Sequence, residues 1–228
     1  MKAKFLIAFF VVSMCELLAV ILNLEVLQWA AKPLIMITLG SYFYFSIRRD
    51  EMGSSKPVLG AIVFSLGGDI ALMFQQHGQT YFMLGLASFL VAHLLYILAY
   101  RHHKNESNGK ELHGIQKFRF ALPIVLTGTG LITILYSHLG DLRIPVVVYA
   151  IVLIVMVLQA MFRWGHTSAE SFWLVLLGAI LFMLSDSLIA INKFLHQIEL
   201  ASLLIMGTYI LAQYLIITGL IKHTKKAN

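Results

Sequence analysis

Apolar residues run along this chain in blocks about as long as a bilayer is thick, each closed by a few polar or charged positions. Within the blocks they are continuous rather than alternating, which predicts helices and argues against the ten-residue strands of an outer-membrane barrel. A helix needs about 20 such residues to cross the hydrocarbon. Eight stretches meet or approach that length: 4–22, 30–47, 57–75, 79–100, 119–137, 143–162, 171–191 and 199–221. The expected architecture is all-α, an eight-transmembrane-helix bundle that makes one integral membrane domain of residues 1–228.

Connections between the blocks are short. The longest, RHHKNESNGKELHGIQK at 101–117, is polar and separates the halves 1–100 and 118–228. Those halves correspond in places. Lys32-Pro33 matches Arg143-Ile144-Pro145, Asp69 matches Asp186, and AHLLYI (92–97) falls over AQYLII (212–217), setting His93 against Gln213. Such a correspondence predicts a 4+4 parallel repeat about an axis along the membrane normal.

Composition agrees with the pattern: 59% of residues are hydrophobic and 12% charged, with a mean hydropathy of +0.83. A soluble domain of this length needs more polar surface. Lys and Arg set the orientation. With the N-terminus cytoplasmic, 14 of them fall on that side, among them Arg48, Arg49, Lys110, Lys225 and Lys226. The other side receives 3, namely Lys32, Arg143 and Lys193. Both termini and the loop 101–117 are therefore expected in the cytoplasm, and the bacterial inner (cell) membrane is the expected location. The basic excess is accounted for by topology and by anionic membrane lipids, so nucleic acid is not an expected partner. Cys15 is the only cysteine, which leaves no disulfide framework or cysteine metal site. MKAKFLIAFFVVSMC imitates a lipoprotein leader, but Met14 is too large for its cleavage site, so the segment reads as the first span.

Against this background two aspartates stand out, in FSLGGDIALMF (64–74) and FMLSDSLIAINKF (182–194). An aspartate at the centre of a membrane helix costs roughly 2.5–3.5 kcal/mol, so intramembrane carboxylates are functional candidates. Asp69 and Asp186 both fall about 8–9 Å inside the outer ends of their apolar runs, and equal depth makes a shared site an expectation. Glu16 is a third carboxylate. It either joins that site or reaches for the interface, and the second is the preferred expectation.

His93 is the one histidine inside a block, on a face with Gly85, Phe89, Tyr96 and Tyr100. It lies about 21 Å from the outer boundary, well below the aspartates. Histidine spacing shows no metal-ligand pattern, so neither a metal nor a cofactor is expected. Lys32 opens the second block and would either snorkel to headgroups, offset a carboxylate or hold a phosphate. Ser185, Asn192, Tyr149, Tyr209 and Gln213 are further polar groups in or near the spans, each of which could equally serve a helix-to-helix hydrogen bond.

KPLIM (32–36), the GGD run of 64–74, GLASFLVAHLLYI (85–97), GAILFMLSDSLIAINKF (178–194) and GTYILAQYLI (207–216) together resemble the YhhN-like lysoplasmalogenase family. The resemblance covers almost the whole chain in order. It implies an eight-span hydrolase that cleaves the vinyl ether of a lysophospholipid, the lysoplasmalogen, releasing a fatty aldehyde and a glycerophospho-amine. It further implies that Asp69 and Asp186 are catalytic, with Lys32, His93, Ser185, Asn192, Tyr209 and Gln213 around the pocket. Vinyl-ether hydrolysis needs a proton donor for the β-carbon, an anion to balance the oxocarbenium ion and a base for water. Two carboxylates in unlike surroundings supply these roles. Asp69, flanked by Gly67 and Gly68, is the expected acid and Asp186 the base. The expected pocket opens at the outer leaflet, with Phe89 and His93 lining its deeper part. A proton-coupled transporter and a non-catalytic lipid-binding protein are the rival expectations.

Overall fold

The computed structural model describes residues 1–47, 52–104 and 111–226. Arg48, Arg49, Lys110, the middle of the 101–117 connection and the side chains of Lys225 and Lys226 lie outside the described residues. Among those described there is no strand. Eight long helices carry the chain: α1 (Lys2–Ile21), α2 (Glu25–Tyr44), α3 (Met52–Met73), α4 (Gln79–His102), α5 (Gly114–Leu135), α6 (Arg143–Met161), α7 (Ala169–Phe194) and α8 (Ala201–Lys226). Short 3₁₀ turns at Gln75–His77, Tyr136–His138 and Gly140–Leu142 connect some of them. Seven of the eight, all but α2, are long and apolar enough to cross a membrane. The protein is a helical, multi-pass integral membrane protein.

Every apolar block became a helix, with ends displaced by local chemistry. Like α3 and α5, α2 starts five residues before its apolar block does. Asn23 adopts the left-handed conformation, with φ 54°, as residues just past a helix end commonly do. Leu24 N–H then bonds back to the Ala19 carbonyl, and the Gln28 side chain donates to the same carbonyl at 3.1 Å. This short turn starts α2 at Glu25, so Lys32 and Pro33 lie two turns inside the helix rather than at its opening.

The chain forms two compact units, Met1–Ala99 and Tyr100–Asn228. In the first, α2 packs on both α1 and α3, around Phe9, Ile35, Met36, Leu39 and Phe43. Close approach of α3 and α4 is set by glycine: a methyl group at Gly68 would lie 2.5 Å from the Phe89 ring. Ser88 Oγ donates to the Phe64 carbonyl at 2.6 Å beside it. Lipid chains are as apolar as leucine, so packing of this kind is what holds membrane helices together. Gly67-Gly68 is accordingly a packing face, and α3 runs unbroken through it.

In the second unit α7 and α8 share the most extensive contact. Gly178 admits the α8 backbone, since a methyl group there would lie 2.9 Å from the Ala212 carbonyl oxygen and from Ile216 N. Gly219 admits α7 in return, 3.1 Å from the Ser171 carbonyl oxygen by the same measure. At the end where α7 starts, Lys222 pairs with Glu170, and the Ser171 hydroxyl donates to the Gly219 carbonyl at 2.7 Å. By contrast α5 is mostly exposed, with Leu135 its one buried residue.

Candidate functional site

Asp69 is buried on α3, directly after the glycine on which the Phe89 ring rests. Phe89 and His93 lie one turn apart on α4, and the face expected from spacing (Gly85, Phe89, His93, Tyr96 and Tyr100) is buried throughout. The first unit therefore buries Asp69 one residue after the Gly68 position that Phe89 packs against.

Glu16 corrects an expectation. It does not reach for the interface but is fully buried on α1, and neither carboxylate oxygen has a hydrogen-bond partner among the described residues. The reason is the tight α1–α2 turn. It brings α2 against α1 and sets half-buried Lys32 within electrostatic reach of Glu16. That proximity suits Lys32 to offsetting a carboxylate, one of the three roles open to it.

In the second unit the Tyr149 hydroxyl of α6 donates to Asp186 Oδ2 of α7 at 2.5 Å. A phenol bonded to a carboxylate at that length is a short, charge-assisted hydrogen bond. Both residues line a cavity of about 50 Å³ whose other walls are largely apolar side chains of α5, α6 and α7. One turn before Asp186, Phe182 meets the Tyr209 ring edge-on, with centroids 5.6 Å apart. Gln213, one turn further along α8, is fully buried.

Ser185 and Asn192 are differently engaged. The Ser185 hydroxyl donates to the Ile205 carbonyl of α8 at 3.0 Å. Asn192 Oδ1 accepts from Ile198 N–H at 2.9 Å, closing the turn after α7. Both hydrogen bonds help to hold α7 in place. Equal depth of the aspartates does not carry over to the helix ends. Asp69 is four residues from the end of α3 and Asp186 eight from the end of α7, because α7 continues to Phe194 while α3 stops at Met73.

Sequence reasoning missed a polar centre. Arg163, one of the 14 basic residues counted above on the cytoplasmic side, is fully buried. Its guanidinium donates to the His103 carbonyl at 3.3 and 3.4 Å, and to the Ser171 hydroxyl at 3.0 Å and carbonyl at 3.4 Å. Burial pushes its pKa down to about 10, which leaves it charged at neutral pH. His103 and His223 are buried beside one another, ring centroids 5.9 Å apart. The usable signal was local: FRWGH (162–166) sets an arginine between two large aromatics just past a span. Among the described residues, no three His, Cys, Asp or Glu side chains come together as a metal site.

Known proteins resemble the chain over most of its length. The YhhN family model matches residues 27–220. Human lysoplasmalogenase TMEM86B is 29% identical over 210 residues, 91% of this chain and 82% of its own. Human lysoplasmalogenase TMEM86A is 31% identical over 175 residues, 72% of this chain and 64% of its own. A lysoplasmalogenase of Mycobacterium tuberculosis is 31% identical over 143 residues, 60% of this chain and 50% of its own. The matches thus span less than two thirds of two of these relatives. No solved structure matches. Since the family model covers both aspartate motifs and nearly every helix, this chain belongs to the YhhN family.

Proposed function

We propose that this protein is a membrane lysoplasmalogenase, hydrolysing the vinyl ether of lysoplasmalogens to a fatty aldehyde and a glycerophospho-amine. The observation that carries the reading is that relatives bearing that name match across most of the chain at about 30% identity. The buried Asp69 and the Tyr149–Asp186 pair add a chemical reason. In the proposed reaction Asp69 gives its proton to the β-carbon of the vinyl ether, leaving an oxocarbenium ion. Asp186 balances that cation and takes a proton from the attacking water. The resulting hemiacetal collapses to aldehyde and alcohol, breaking the carbon–oxygen bond and restoring the proton balance. Tyr149 suits Asp186 for the second role: a carboxylate already holding a phenol hydrogen bond is fixed in place to face a cation. Phe89, His93, Tyr209 and Gln213 are proposed to line the path of the alkenyl chain, and Lys32 to neutralise Glu16.

The proposal includes eight spans with both termini cytoplasmic, in the bacterial inner membrane, and a pocket open to the outer leaflet. The rival reading as a transporter would seek a broken helix at the glycine pair, where α3 is continuous. Purified protein incubated with lysoplasmenylethanolamine should release aldehyde, and the ester analogue lacking the vinyl ether should not react. Absence of aldehyde at any lipid concentration would overturn the assignment.

A further inference from the structure

Two adjoining hollows lie at the end of the second unit where α5 and α7 begin, away from Asp186 and Tyr149. The first, about 270 Å³, is walled by Arg101, Lys104, Lys117 and His166, with Glu111 the one carboxylate among its described walls. Glu111 is already engaged by histidine, its oxygens 3.1 Å from His166 Nε2 and 3.7 Å from His113 Nε2. Arg101, Lys104 and Lys117, the last also lying over the Phe162 ring at 5.9 Å, face a space that a phosphate group fits. Their crowding is unfavourable as it stands. The Lys104 ammonium is held below the ordinary lysine range by burial and by the positive charges of Arg163, Arg101 and Lys117.

The second hollow, about 760 Å³, shares Glu111, Leu112 and Trp164 with the first. It continues along the helices between Phe120 and Ile124 of α5 and Phe172, Trp173, Leu176 and Ile180 of α7. Gln116 to Ile124 and Phe172 to Ile180 each cover about 12 Å of helix, enough for much of an acyl chain. One wall is α5, the least buried of the seven helices apolar enough to cross a membrane. Trp164 lines both hollows, and Trp173, edge-to-face with it at 6.3 Å, lines the apolar one, as tryptophans do at a membrane interface. A soluble anion would leave the groove empty, and an uncharged lipid would leave the cations unmatched.

We propose that the two hollows together bind one anionic phospholipid, its phosphate among Arg101, Lys104 and Lys117 and an acyl chain between α5 and α7. Basic pockets between membrane helices recognise anionic headgroups by this chemistry. The groove ends at Ile180, about 9 Å along α7 from Asp186, so the site is separate from the aspartate chemistry and does not rest on the hydrolase reading.

The test uses the full chain in an uncharged detergent, with Trp29→Phe so that Trp164 and Trp173 are the remaining tryptophans. Phosphatidylglycerol with brominated chains should quench their fluorescence in a saturable way. Unbrominated phosphatidylglycerol should reverse the quenching, while phosphatidylcholine of the same chains and inorganic phosphate should not. Lys104→Gln with Lys117→Gln should weaken binding roughly tenfold or more, and Lys104→Arg with Lys117→Arg should restore it, which separates lost charge from lost fold. Equal displacement by phosphatidylcholine would mean simple partition into the micelle. Displacement by inorganic phosphate would mean a free-anion site, and an unchanged double Gln variant would remove the charge argument. Any of the three overturns the proposal.

Discussion

At the scale of single residues, the proposed reaction makes opposite demands on isosteric changes. Asp69→Asn and Asp186→Asn preserve size and polarity but remove the proton and the charge. Each is expected to drop aldehyde release below a tenth of the parent while the protein stays folded in detergent. Tyr149→Phe leaves Asp186 its charge and removes one hydrogen bond of 2.5 Å. Hydrogen bonds to charged groups contribute about 1.5–3 kcal/mol, so kcat should fall roughly ten- to hundredfold with little change in KM. An unchanged kcat would show that Tyr149 only packs against α7. These residues were legible in the sequence because a polar atom inside an apolar run must find a partner. What each polar atom does was not legible. Ser185 and Asn192 look like pocket residues in one dimension, yet their side chains bond α8 and the turn before it. Glu16 was misread because its burial depends on a turn whose polar residues carry no apolar signal.

At the scale of helices, the apolar blocks of the sequence marked all eight, and glycine placement determines how two of them meet. Gly178→Ala would drive a methyl group against the Ala212 carbonyl and Ile216 N of α8. Backbone cannot step aside as a side-chain tip can, so overpacking should cost about 1–3 kcal/mol, read as a lowered unfolding temperature in detergent. Gly130→Ala, with nothing within 4 Å of the added methyl, should leave that temperature unchanged or raise it slightly. Equal effects at the two positions would refute the close-approach account. Arg163→Lys should also lower the unfolding temperature. A single ammonium cannot reproduce a planar fork that reaches His103 on one side and Ser171 on the other. Neither contact was legible beforehand: His103 is 60 residues away in the chain, and Ser171, eight away, is reached only through the turn that joins α6 to α7.

For the whole molecule the open quantity is the number of crossings, and α2 decides it. Hydropathy alone passes seven helices and omits α2. Yet α2 is 20 residues long, about 30 Å, and leaves α1 through so short a turn that it returns along α1 if α1 crosses. The expected outcome is eight crossings: labels in the 101–117 connection should report from the same side as both termini, and labels at Gln76 or Gln79 from the other. Termini on opposite sides would restore the seven-span count. The α7–α8 interlock has a consequence for synthesis. While α8 is still within the ribosome, the nascent α7 presents Ser171, Gly178 and Ser185 to the bilayer with no helix seated on them. Those positions mark an unfinished chain to the membrane's quality-control machinery, and translation stalled before Ala201 should yield a product degraded faster than one stalled after His223.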